Sequence, residues 1–436
     1  MDAIGHRQFG PALLGYAVRG AFRPVQALVA YASLLFLLVM GLMLFHPPDY
    51  RFPSYDRVAF VLLVFVVALR VCATGESLVI GKTVTLPMCG MVLLACWGVM
   101  LQPFDPETWS MFAAKWFLPF ALFLLAGQLF KDAVSVRLFE VFTLLVLAYL
   151  SLIAILFLMG AKDLIFPRYI LDEGLGIHTD RARGPFLQAV ANGVALNLLG
   201  LVALDSFRRK ILRGMPAFLL LAGLPLAIVA TRTRAVWLSF AISIFALMFL
   251  ARSQRLKRGC LAIAITGLIG IVALLAFGDG HRSLGERLEE SSPVKFRMAV
   301  YEAGWEMFLQ KPLIGWGAQA MQTELTNRIS EFHQEQYFFH NTYLEILVQY
   351  GLVGLALYVW VVIDLFRVGR KRGLREDGGE FLDGEFGVLW PVLLTVYVLN
   401  SMFVVMNYQF VNGFLFTIAG MLAAQNHRAL RGANVT

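Results

Sequence analysis

Residues 338–360 read FFHNTYLEILVQYGLVGLALYVW. From Leu344 onward the stretch is apolar enough to cross a bilayer, which takes roughly 20 residues at about 1.5 Å of rise each. Its start nevertheless carries His340, Asn341 and, within a turn and a half, Glu345; Gly351 and Gly354 follow. Taken alone, His340 is an interfacial residue at the head of a span, and the glycines are close-packing positions between helices. Whether that suffices depends on what the rest of the chain brings to the same side.

The chain has 436 residues, of which 59% are hydrophobic and 15% charged, and its mean hydropathy is +0.70. That balance excludes an ordinary soluble protein and fits a polytopic membrane protein. Apolar runs at about 26–46, 57–74, 84–102, 109–130, 136–159, 185–205, 215–231, 235–251, 260–278, 342–365, 387–407 and 411–425 account for most of the length. They are continuous rather than alternating, so they predict helices and not an outer-membrane barrel. The expected fold class is all-α: one integral membrane domain over residues 1–436, with about twelve transmembrane helices. A large loop at about 279–341 separates the ninth span from the tenth.

Basic residues in short loops set the orientation. With a cytoplasmic N-terminus, the inside receives Arg7, Arg19 and Arg23, then Arg208, Arg209, Lys210 and Arg213. Arg252, Arg255, Lys257 and Arg258 follow, then Arg367, Arg370, Lys371, Arg372 and Arg375, and last Arg428 and Arg431. Both termini are then cytoplasmic, and the net charge of +8 reflects topology and anionic membrane lipids, with no call for nucleic acid. Residues about 160–184 and 279–341 fall outside. In the longer loop Phe296, Val300, Ala303, Met307 and Phe308 recur at helical spacing at the start of and just before 297–317, predicting an amphipathic helix lying over the bundle.

Cys72, Cys89, Cys96 and Cys260 all sit in or beside spans, so no disulfide framework is expected. Walker A, GxGxxG and GxSxG patterns are missing wherever a loop could use them, and there is no metal-type Cys/His spacing. Asp105-Pro106-Glu107, the nearest approach to a metal-binding acidic pair, reads as an exposed turn. No cofactor and no metal are expected.

Arginines on the outer side need a reason. TRTRAVWL (231–238) places Arg232 and Arg234 at the mouth of a helix, HTDRARGPF (178–186) places Arg181 and Arg183 ahead of another, and Arg297 opens the amphipathic segment. A guanidinium is a planar fork of donors suited to phosphate oxygens, although a headgroup contact would also explain it. Three arginine-bearing loops and one histidine on one face of a lipid-embedded bundle suit a substrate with a diphosphate head and a greasy tail. Arginines would stabilise the departing diphosphate while His340 accepts a proton from an incoming hydroxyl, which is glycosyl transfer from a lipid carrier. A transporter is the competing reading, supported by the intramembrane polar residues Lys115, Asn192 and Asn197. Against it, the distinctive residues gather on one side, where alternating access needs a central site. Glu345 reads as a structural ion-pair partner, to an arginine, rather than as a second catalytic acid.

Three motifs resemble those of the O-antigen ligases and related O-antigen polymerases of Gram-negative inner membranes. HNTYLEILVQYGLVG (340–354) is similar to the family's H-N/S-x9-G-x-x-G pattern, and Arg234-x3-Leu238 to its R-x3-L pattern. FRMAVYEAGWEMFLQKPLIGWG resembles the R…W…P-L-x-G-x-G segment ahead of the histidine, and RARGPFLQAVANG a weaker arginine–glycine segment. The resemblance implies a periplasmic site that moves a glycan from undecaprenyl diphosphate onto a hydroxyl, which for a ligase belongs to the lipid A core. It makes His340 the base and Arg234 the diphosphate binder, with Arg297 a looser match. Arg183, Arg181, Arg232 and Asn341 are then candidate substrate contacts, and the reaction is metal-independent and inverting. The polymerases and protein O-glycosylating relatives share the histidine pattern, so the acceptor stays open.

Overall fold

The computed structural model describes residues 31–47, 55–74, 81–176, 178–277, 292–329, 338–369 and 381–433. Arg7, Arg19, Arg23 and the run Arg370, Lys371, Arg372 and Arg375, which carry part of the orientation argument, lie outside these residues, as do 279–291 and 330–337 of the long loop.

Among the described residues the regular structure is helical, without strands. The spans are α1 (Ala32–Leu44), α2 (Tyr55–Thr74), α3 (Lys82–Met100), α4 (Pro106–Leu129), α5 (Ala133–Leu158), α6 (Ala189–Arg208), α7 (Gly214–Ala230), α8 (Arg234–Leu250) and α9 (Gln254–Phe277). The long loop contributes α10 (Ser292–Gln310) and α11 (Ala318–Arg328), and the last three spans are α12 (Thr342–Val368), α13 (Phe386–Asn400) and α14 (Gln409–Ala433). Each predicted run therefore has its helix. Five of them, α3 to α6 and α12, are long and apolar enough to cross a membrane, while α1, α7, α8 and α13 are shorter apolar helices.

Side-chain caps fix where several spans begin. Asp105 accepts from Thr108 N at 2.9 Å and Asp132 from Ser135 N at 2.9 Å, each satisfying amides that have no partner within the first turn. Asp105 is thus a helix cap, the exposed turn that the sequence suggests. Burial then sorts the spans: 89% of the most apolar window of α6 is enclosed, against 33–44% in α3, α4, α5 and α12. α6 is the central post, packed by α5, α7, α8, α9 and α13, and the others turn one face to lipid. Its asparagines knit this core: Asn192 Nδ2 donates to Ala182 O at 2.8 Å, and Asn197 Oδ1 accepts from Ser243 at 3.2 Å.

The helix ends separate into two sets. At one end Asp205 binds Arg208 and Arg209 at 2.7 Å each, Arg208 reaches Asp383 at 2.8 Å, Arg209 meets Glu140, and Glu385 accepts from Arg252 N at 2.8 Å. At the other end lie His46, Gln102, Ala182, Ala230, Gln319, Thr342 and Ser401, joined by Gln319 N to Gln102 (2.8 Å), Ala182 N to Ala230 O (3.1 Å) and Thr342 N to Ser401 O (2.8 Å). Among the described residues, the basic loop residues expected inside are at the first end, and His340 is at the second.

Two predicted boundaries move because tertiary hydrogen bonds override the local pattern. The eleventh span, expected to reach 407, stops at Asn400, because the Thr342 hydroxyl donates to Val404 O at 2.8 Å and accepts from Met406 N at 3.0 Å, which holds 401–408 non-helical. The amphipathic helix expected across 297–317 stops at Gln310.

The residues after that stop dock into a break in α12. Gly351 sits at φ 65°, ψ −163°, conformations open almost solely to glycine, and interrupts the hydrogen-bond ladder. Pro312–Gly317 satisfies four of the groups set free: Trp316 N reaches Val348 O (3.0 Å), Gly317 N Gln349 O (2.9 Å), Leu352 N Pro312 O (2.8 Å) and Val353 N Leu313 O (3.2 Å). A Cβ on Gly351 would lie 2.2 Å from Leu313 O, so the close-packing glycine of the sequence reading is a helix break filled by another segment's backbone. The two glycine motifs, PLIGWG and QYGLVG, are halves of one joint.

Candidate functional site

α12 starts at Thr342 because Asn341 caps it, its side-chain oxygen accepting from Tyr343 N (3.0 Å) and Leu344 N (3.1 Å). The oxygen of this candidate substrate contact is therefore engaged by the helix. The residue before it, His340, takes a left-handed backbone at φ 49° and is half-buried, with the Phe296 ring edge-on at 6.4 Å between centroids.

Burial pushes the His340 pKa down to about 4, and the positive charge of Arg297 and the neighbouring His178 push the same way. The imidazole is consequently neutral near pH 7 and has a nitrogen lone pair to offer. Arg297 reaches this position from α10, whose Val300, Ala303, Met307 and Phe308 pack with Phe339 and Val348 in one apolar cluster. His178, at φ 58°, arrives on the loop between α5 and α6.

Arg183 is 1% exposed, and its guanidinium is occupied by main-chain carbonyls: Ile170 O at 2.9 Å, Leu175 O and Asp172 O. It holds the loop that presents His178 and Arg181. Arg181 is partly exposed beside Asp180, at 3.7 Å, so the structure separates two arginines that sequence pattern could not. The Ala182–Ala230 hydrogen bond sets this loop against the turn at 231–233, from which Arg232, at φ 48°, and Arg234, first residue of α8, project as exposed side chains. Thr231 and Thr233 brace the turn by bonding Ile228 O (2.7 Å) and Thr231 O (2.9 Å), and Trp237 Nε1 donates to Ile228 O at 3.0 Å.

The loop of residues 178–183 therefore links His178, which acts electrostatically on His340 together with Arg297, to the Arg232/Arg234 turn. Sequence reasoning missed His178. Its signal was present, since it opens the same HTDRARGPF segment, but only folding brings it to His340.

Glu345 pairs with Lys115 at 2.8 Å, not with an arginine. Lys115 enters on a π-helical turn, Ala113–Phe117, that interrupts α4 and aims the ammonium inward, where it also lies 5.3 Å from the Trp116 ring. Its role as a structural partner is as expected; the identity of the cation is not. Among the described residues no three His, Cys, Asp or Glu side chains cluster as a metal set.

The class that the fold defines is an all-helical, polytopic membrane protein, and a histidine lies at one end of its bundle within the electrostatic reach of an arginine. The family follows from comparison. Residues 216–359 match the family model described as O-Antigen ligase, and this segment contains Arg232, Arg234, Arg297, His340 and Gly351. Exopolysaccharide production protein ExoQ of Rhizobium meliloti (strain 1021) is 29% identical over 177 residues, covering 38% of this chain and 40% of that relative's length. The comparisons support the resemblance read from the motifs, and over this segment the chain is similar to the O-antigen ligase superfamily.

Proposed function

We propose that the protein transfers glycan from undecaprenyl diphosphate to a hydroxyl of the lipid A core, at the periplasmic face of a Gram-negative inner membrane. The observation that carries this reading is the neutral His340 imidazole within the field of Arg297 and His178, the latter on a loop hydrogen-bonded to the arginine-bearing turn. Arg234 and Arg232 bind the diphosphate as bidentate donors, with Arg181 alongside and Arg183 acting through the loop it holds. His340 takes the acceptor hydroxyl's proton as the oxygen attacks the anomeric carbon; the anomeric C–O bond breaks, and the lipid diphosphate leaves with its electron pair. One displacement inverts the anomeric centre. The anionic donor also offsets the Arg297 field, so His340 becomes a stronger base once donor is bound. Arginines supply the charge that a metal ion supplies elsewhere, so the reaction needs no metal.

A second reading, polymerisation of the lipid-linked repeat unit, is favoured by the relative's printed role in exopolysaccharide production. The two differ only in the acceptor. Purified protein in proteoliposomes, given lipid-linked donor with either core acceptor or a second lipid-linked unit, tells them apart by product. In the productive assay His340→Ala should be at least about 100-fold slower while still binding donor, and Arg234→Lys should lose most turnover, because an ammonium keeps charge but not the fork. Near-normal rates in folded His340→Ala protein would remove the general base.

A further inference from the structure

Two clefts open at the His340 end, and they meet at Met111 and Asn407, which line both. The first is walled by His46, Arg57, Ser110, Tyr408 and Gln409; the second by Lys115, Trp116, Gln322, Glu345 and Gln349. Together they form one groove between the outer ends of α1, α2, α4, α11, α12 and α14. The groove borders the candidate site: Asn407 continues the segment that Thr342 ties to the head of α12, Phe338 lines the second cleft, and Phe186 lines the first.

Its lining differs in chemistry from the arginine cluster. Asn407, Gln409, Gln349 and Gln322 are planar amides, each with donors and an acceptor side by side. Lys115 is neutralised by Glu345 at 2.8 Å, so the lining carries one net charge, that of Arg57, whose guanidinium donates to the Ser110 hydroxyl at 2.6 Å. The rings of Trp116 and Tyr408 add apolar faces. Gln322 Oε1 is buried in the second cleft's wall without a hydrogen-bond partner among the described residues, a group that a ligand or water must satisfy. A diphosphate belongs with unneutralised cations and a polyprenyl tail with apolar walls. Amides beside aromatic rings match a carbohydrate, whose vicinal hydroxyls pair with amides and whose C–H faces lie on rings.

We infer that this groove is an oligosaccharide-binding site that seats a glycan chain alongside the transfer centre, a reading that rests on the glycosyl transfer above and names where its sugar lies. The glycan comes from the donor or from the acceptor, and two soluble probes distinguish them: the oligosaccharide released from the cell's lipid-linked donor by mild acid, and the delipidated core oligosaccharide of its lipopolysaccharide. Saturation-transfer NMR on the full-length protein in detergent should detect binding of at least one, although neither carries lipid or diphosphate. Binding of the first alone makes the groove a donor subsite, and of the second alone an acceptor subsite. Asn407→Ala and Gln322→Leu, each checked for an unchanged melting transition, should weaken binding by about tenfold, the size of one lost polar contact. His340→Ala should bind as the wild type does. The inference is overturned if neither probe binds, or if both groove variants bind unchanged. Probe binding by a protein that transfers nothing in proteoliposomes would instead sink the glycosyl-transfer reading and leave the groove standing.

Discussion

At the scale of single residues, the chemistry turns on how His340 is held. Its half-buried position and the cationic neighbours Arg297 and His178 keep the imidazole neutral, with a pKa near 4. The sign of the consequence is fixed. A positive neighbour penalises the imidazolium, so the acid limb of kcat/KM for the free enzyme should lie well below the ordinary imidazole range, with activity flat across neutral pH. Arg297→Gln removes one source of that penalty and should move the limb to higher pH, which a pH–rate profile of the variant measures; an unmoved limb would place Arg297 away from the base. Folding stability follows the same shift. Between the unfolded value of about 6.5 and about 4 the unfolded chain binds a proton that the folded chain refuses, so stability falls as pH drops through that window and is level above it.

At the scale of elements, the joint between Pro312–Gly317 and the break at Gly351 fixes where the catalytic candidates stand. α10 carries Arg297 and ends just before the docking segment, and His340 immediately precedes the cap residue of α12, so four main-chain hydrogen bonds help set the distance between them. Gly351→Ala must either leave its positive φ, breaking those bonds, or place a methyl 2.2 Å from Leu313 O. A cost of roughly 3 kcal/mol or more is expected from strain plus unsatisfied backbone groups. The measurement is thermal unfolding in detergent; transfer activity should fall with it. An alanine variant with wild-type melting and turnover would show that the joint does not set the site. The π-turn in α4 works similarly, delivering Lys115 to Glu345 across two helices, a contact that neither helix's own periodicity specifies.

At the scale of the whole molecule, the helix ends divide into a basic, ion-paired face and the face that bears His340. The network of Glu140, Asp205, Arg208, Arg209 and Asp383 is nearly sealed from solvent and ties α5, α6 and the start of α13 together. Removing one member strands its partners, a loss of about 3–5 kcal/mol for a buried pair. The proposed orientation places this face in the cytoplasm. In a cysteine-free background, a membrane-impermeant thiol reagent applied to spheroplasts should label Leu164→Cys and spare Arg213→Cys, both exposed positions at opposite ends of the bundle. The reverse pattern would invert the topology and put the arginine site inside.

Hydropathy alone determined the class and the place of the apolar helices, because a backbone in lipid has no alternative to the helix and ~20 apolar residues leave little else to build. Residue chemistry alone picked out His340, Arg234 and Arg297, since imidazole and guanidinium are uncommon beside apolar runs and the motifs preserve their spacing. Tertiary structure decided the rest. That Arg183 holds a loop while Arg181 faces outward depends on the carbonyls of residues 170–175 folding back over it. That α13 ends at Asn400 depends on a hydroxyl from another helix, and that His178 comes within electrostatic reach of His340 depends on folding across 162 residues of chain, the difference between 340 and 178. Local pattern reports which groups must leave water. It does not report which partner, far along the chain, each polar group will meet once they have left.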